Sequence, residues 1–189
     1  MDQTEHKQYS FNNFISILIL FIFFSINLHS QEKNIEIITA GSFDRNESLF
    51  PDGNILNESN NKKVHLRHDE MDVFSKRSIF FQKRNSFIAT GEVIVKQGDS
   101  INLFCDSLNY DGNTRKFSSY GSVKFINDEM ELSSNVLFFD RNLNEIFFNE
   151  NGKIIDSLST IESKKGKYFI DNKKYEFEEN VRINNPEYK

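Results

Sequence analysis

Four segments between residues 87 and 183 carry one pattern: an aromatic or aliphatic start, small or polar spacers, then usually a glycine, a spacer and a β-branched residue. They read FIATGEVIV (87–95), FSSYGSVKF (117–125), IFFNENGKII (146–155) and YEFEENVRI (175–183). Val93, Val123, Ile154 and Val181 follow one another at intervals of 30, 31 and 27 residues. A period of this size marks a supersecondary unit stacked on copies of itself, because one such unit is too small to bury its apolar face alone. The expectation is a continuous sheet-built body rather than an enclosed catalytic pocket.

After residue 31 no segment keeps a 3.6-residue apolar period, whereas alternation at period two is common and Phe, Ile, Val and Tyr are plentiful. In 117–125, Phe117, Ser119, Gly121, Val123 and Phe125 share one face and Lys116, Ser118, Ser122 and Lys124 the other. Phe87, Val93 and Val95 follow the same parity, as do Tyr175, Phe177, Val181 and Ile183. Each segment reads as a half-buried strand.

A second element alternates with the first: INLFCDSLNYD (101–111), MELSSNVLFFD (130–140) and TIESKKGKYFID (160–171). Its parity slips midway. Leu103 and Cys105 give way to Leu108 and Tyr110, Leu132 and Ser134 to Leu137 and Phe139, and Ile161 and Ser163 to Tyr168 and Ile170. A slip at the same place in successive strands signals a bulge, or strands turning a corner between two sheets. The small residues at the slip, Cys105, Ser134 and Ser163, point to tight packing along a crease. Turns at 111–116, 140–145 and 171–174 each open on aspartate, and Asp111-Gly112 is a strong hairpin signal. With only Pro51 and Pro186 to interrupt the ladders, the chain is expected to be an antiparallel meander folded into two facing sheets. Residues 31–63 are less regular. The chain stops directly after a strand, which leaves an open sheet edge.

Residues 14–26 (FISILILFIFFSI) form an apolar run shorter than the roughly 20 residues that span a bilayer, with Lys7 upstream and Ser30 before a cut at Gln31. Residues 1–30 therefore read as a secretory signal peptide; an uncleaved anchor is the alternative. Net charge is −5 with bases scattered among acids, which argues against nucleic-acid binding. Cys105 is the single cysteine, so no internal disulfide forms and an exported chain must rely on core burial.

The order and spacing of GDSINLFCDSLNYDG (98–112), GSVKF (121–125), MELSSNVLFFD (130–140), GKII (152–155) and SKKGKYF (163–169) resemble the OstA-like domain shared by LptA-type proteins and the periplasmic part of LptD. The resemblance covers about residues 35–187. It implies an all-β fold: an antiparallel folded-sheet β-jelly roll, here built from about 30-residue repeats over 64–189, with 31–63 as N-terminal strands and loop. It also implies a periplasmic protein that shields the lipid A acyl chains of lipopolysaccharide between inner and outer membrane. Partners would be other proteins of this fold joined end to end through terminal strands, or copies of the chain head to tail.

On that reading the lipid-facing residues are Phe87, Val93, Val95, Leu103, Leu108, Tyr110, Phe117, Val123, Phe125, Leu132, Leu137, Phe139, Ile146 and Phe148, with Lys116, Lys124 and Lys153 as phosphate contacts. From the residues alone the same apolar stripe reads first as the filled core of a sandwich, as in a structural β-solenoid or surface-adhesion module, and the resemblance reverses that order. No cofactor is called for. His65 and His68, beside Asp69 and Glu70, would face opposite sides of a strand and read as solvated polar residues rather than metal ligands. Cys105 has serines at its equivalent positions, which argues for size rather than nucleophilic chemistry.

Overall fold

The computed structural model describes residues 33–186; the segment read as a signal peptide lies outside them. Six short strands come first: β1 (Glu36–Thr39), β2 (Ser42–Arg45), β3 (Asn54–Asn57), β4 (Val64–His68), β5 (Met71–Ser75) and β6 (Arg77–Phe81). Four long ones follow: β7 (Ser86–Gln97), β8 (Ile101–Asp111), β9 (Lys116–Ile126) and β10 (Met130–Asp140). Six more short strands complete the described residues: β11 (Glu145–Phe148), β12 (Gly152–Asp156), β13 (Thr160–Ser163), β14 (Lys165–Phe169), β15 (Lys174–Glu178) and β16 (Arg182–Asn184).

All sixteen strands belong to one antiparallel sheet, not to two separate ones. The register shifts between Thr90 and Val93, between Phe104 and Ser107, and between Ser134 and Val136, which breaks the long strands into two arms. One set of arms pairs with β2, β3, β6, β11, β14 and β15, and we call this leaf A. The other pairs with β1, β4, β5, β12, β13 and β16, and forms leaf B. The leaves meet at the crease where the register shifts. On the opposite side, at the mouth, both leaves end in rows of turns.

The crease is built by backbone that few residue types adopt. Left-handed conformations occur at Gly91 and Glu92, at Gly121 and Ser122, at Asn151, and at Glu179 and Asn180. Glycine is required at 121 for a second reason: a Cβ there would overlap the Asp106 side chain. The strands running the other way cross without left-handed residues and are held by side chains. Ser75 Oγ donates to the Arg77 carbonyl (3.0 Å), Ser134 Oγ to that of Val136 (3.0 Å) and Ser163 Oγ to that of Lys165 (2.8 Å). Cys105 occupies the same place in β8, so smallness at the crease is joined by a hydrogen-bonding duty that the pattern alone did not reveal.

Register also corrects the alignment of the β-branched positions. Val123 and Gly152 are both partners of Ser134, so Gly152 rather than Ile154 stands where Val123 does. Turns at the mouth follow the expected chemistry: Asp111 Oδ1 accepts from the amides of Asn113 and Thr114, and Asp140 Oδ1 from those of Asn142 and Leu143. A 3-10 turn, Gln82–Arg84, links β6 and β7.

Candidate functional site

Register pairs assemble the inward side chains into rows that run across the strands. On leaf B one row passes through Ile37, Leu66, Val73, Val95, Leu103, Phe125, Leu132, Ile154, Ile161 and Ile183, each paired with the next. Every strand of the leaf contributes, and no member is polar. With about 4.8 Å between neighbouring strands, the row is roughly 43 Å long. On leaf A a row nearer the mouth, aromatic except at Ile146, runs Phe80, Phe87, Tyr110, Phe117, Phe139, Ile146, Tyr168 and Tyr175. Phe117 and Phe139 meet edge to face with centroids 5.1 Å apart.

The residues expected to face lipid all lie inside. Phe87, Leu108, Tyr110, Phe117, Leu137, Phe139, Ile146 and Phe148 stand on leaf A; Val93, Val95, Leu103, Val123, Phe125 and Leu132 stand on leaf B. None is more than 3% exposed, and the two leaves share one apolar cluster. The seam is therefore packed shut by its own side chains at these positions.

Its ends are different. Ile37 is 37% exposed on β1 and Ile183 64% exposed on β16, so the leaf B row emerges at both extremities. Phe43 on β2 and Val181 before β16 add to these apolar ends. Among the described residues each end presents two unpaired strand edges, β1 and β2 at one and β15 and β16 at the other.

Polar groups cross the mouth from leaf to leaf. Arg115 Nη2 pairs with Asp69 at 3.0 Å, Lys173 pairs with Glu129, and Asn127 Nδ2 donates to Tyr168 Oη at 3.2 Å. Arg141 Nε donates to Gln97 Oε1 (2.8 Å) and its Nη1 to Tyr110 Oη (2.7 Å). Tyr110 Oη lies 2.5 Å from His68 Nδ1, whose Nε2 lies 2.6 Å from the Lys33 carbonyl. A carbonyl only accepts, so Nε2 donates to it, and in that neutral tautomer Nδ1 accepts a hydrogen bond from the Tyr110 hydroxyl. Burial raises the pKa of the Tyr110 hydroxyl, against the pull of Arg141, and keeps it protonated.

Several expected roles are reassigned by this geometry. His68 is buried and not solvated, although His65 does face the other side of β4, bonded to Asp72 at 2.6 Å. Lys116, Lys124 and Lys153 already pair with Asp140 (2.8 Å), Glu131 (2.8 Å) and Glu162 (3.5 Å), carboxylates on their own sheet. Burial pushes the Cys105 thiol up to about 12, which keeps it a thiol at neutral pH. Sequence reading missed Gln97 and Arg141. Their partners lie 31 to 44 residues away, and only the folded register brings them together.

The OstA-like protein profile matches residues 32–189. In fold the chain is similar to the crystal structure of LptH, the LptA-homologous periplasmic component of the lipopolysaccharide transport device of Pseudomonas aeruginosa. The TM-score is 0.56 at 15% identity, over 60% of this chain and 93% of that one. No curated protein matches the chain. The profile spans every strand of the folded sheet, and the chain belongs to the OstA-like protein family.

Proposed function

We propose that this chain is a periplasmic lipopolysaccharide carrier whose leaves part along the mouth to take lipid A acyl chains between them. One observation carries the reading: an uninterrupted apolar row crosses every strand of leaf B and emerges at both ends. A self-contained core would close its terminal rungs with polar groups, whereas a track for handing lipid onward has to surface where it begins and ends. LptH, a periplasmic component of a lipopolysaccharide transport device, shares the fold and supports the same assignment.

The energetics fit exchange rather than a standing cavity. Fully burying a Val, Leu, Ile or Phe side chain is worth about 1.5–3 kcal/mol, so parting the leaves into water is expensive. An acyl chain contributes roughly 0.8 kcal/mol per buried methylene, so it replaces leaf–leaf contacts with chain–leaf contacts at little net change. Similar affinity at successive rungs lets lipid advance without a catalytic group. The bare edges offer β-augmentation: β16 meets β1 of the next subunit and β15 meets β2, whether that subunit is a copy or another protein of this fold. In this reading residues 1–30 are the export signal, 31–63 irregular N-terminal strands and loop, and 64–189 a jelly-roll body of about 30-residue units.

A second reading is favoured by the packed seam itself: a structural β-module whose core never opens. Native mass spectrometry of protein purified from its own envelope separates the two. Co-purifying lipopolysaccharide supports carriage; a bare chain at every preparation supports the structural module.

A further inference from the structure

Three cations reach from leaf A turns across the mouth to leaf B, and one of them lacks a counter-charge. Arg115 meets Asp69 and Lys173 meets Glu129, but Arg141, between them, meets the neutral Gln97. Arg141 is only 6% exposed, and its other partner is the hydroxyl of Tyr110. Among the described residues no carboxylate pairs with it. The adjacent Asp140 is taken by Lys116 and by the turn amides, while Asp69 is shared between Arg115 and Lys33. A buried guanidinium without an anion is unfavourable, and natural proteins rarely keep one without a use. Two of its five N–H donors are engaged, so a fork remains for a planar or tetrahedral oxyanion.

A second observation stands next to the first. Arg115 Nε is buried and has no acceptor, although its Nη2 holds Asp69. The two arginines sit on neighbouring turns, joined by the Arg141 amide donating to the Arg115 carbonyl at 3.1 Å. An orphan donor and an unneutralised cation side by side at the lip of an apolar seam call for the same missing group.

We propose that Arg141, with Arg115 beside it, binds the phosphate or carboxylate of an acylated lipid's headgroup at the mouth while its chains lie between the leaves. The proposal rests on the carrier reading and adds to it the site that fixes the headgroup. Gln97 is the residue that keeps the site available: a carboxylate there would complete the row of ion pairs and fill the place of the ligand.

The test compares the full chain with its Gln97→Glu and Arg141→Gln variants. Affinities are measured for bisphosphorylated lipid A in detergent and for the same lipid stripped of both phosphates. The intact chain is expected to prefer the phosphorylated form by roughly ten-fold or more, the strength of one charge-assisted contact. Gln97→Glu is expected to bring that ratio near one, to raise the melting temperature, and to leave binding of the stripped lipid unchanged. Arg141→Gln is expected to lose the ratio as well. An unchanged ratio in Gln97→Glu overturns the site and leaves carriage standing. If neither lipid binds the intact chain, carriage fails and inorganic phosphate decides the site alone. A millimolar-phosphate shift of the Arg141 Nε resonance, abolished in Gln97→Glu, supports it; no shift overturns it.

Discussion

The Phe148 ring occupies the space that a side chain at Gly152 would fill, so leaf A rests on bare leaf B backbone beside the crease. The same ring also covers Gly166 on its own leaf. Gly152→Val is therefore expected to destabilise the chain by about 1–3 kcal/mol through overpacking, measured by chemical denaturation. Combining it with Phe148→Leu should recover part of that loss. Additive losses in the double variant would show that the two residues do not meet.

The crease hydroxyls provide a second check. Ser134→Ala and Ser163→Ala each leave a carbonyl without its donor, and each is expected to cost about 1 kcal/mol. Cys105→Ser should be tolerated, since serine already fills the equivalent places. With its thiol pushed up to about 12, Cys105 is expected to react with a thiol reagent at pH 8 only as fast as the chain unfolds. Rapid labelling of the folded chain would place the thiol outside the core.

Two lysines hold the Glu179 carboxylate ionised at the last crossing of the crease. Bonds from Lys164 (2.8 Å) and Lys165 (2.5 Å) lower its carboxyl from 4.5 to about 2. A depressed folded-state pKa contributes stability that is present above 4.5 and fades as pH falls from there through about 2. Carboxylate NMR titration should find a midpoint near 2 that rises with salt, because the site is exposed and screened. An unshifted midpoint would mean that the lysines do not hold it.

Much of this architecture was legible in the residues. The parity slip located the crease, and aspartates located the turns, because both are local signals of backbone geometry. Other features were not readable. His68, Gln97 and Arg141 look like ordinary surface polar residues in sequence, and only register across 31 to 44 residues shows them meeting at the mouth. Gly152 was hidden because its alignment with Val123 depends on a shared partner, Ser134, rather than on likeness of side chain. The emergence of the leaf B row at Ile37 and Ile183 was invisible for the same reason.

Edge pairing predicts concentration-dependent assembly through the bare strands. Removing residues 181–189 deletes β16 and its exposed Ile183. Light scattering should then show shorter oligomers than the full chain forms at the same concentration. Unchanged assembly would exclude the C-terminal edge as a joint.

The seam itself is poorly probed by charge. Phe125 is fully buried, and an ionised side chain there would unfold the sheet rather than report on lipid. A photo-reactive phenylalanine is gentler, because it replaces an aromatic ring by a larger one of the same character. Placed at Phe117 or Phe139, facing inward, it is expected to crosslink lipopolysaccharide in cells. At the outward-facing Phe104 or Phe147 it should not. Crosslinks confined to the outward positions, or absent from the inward ones in a folded protein, would contradict carriage between the leaves.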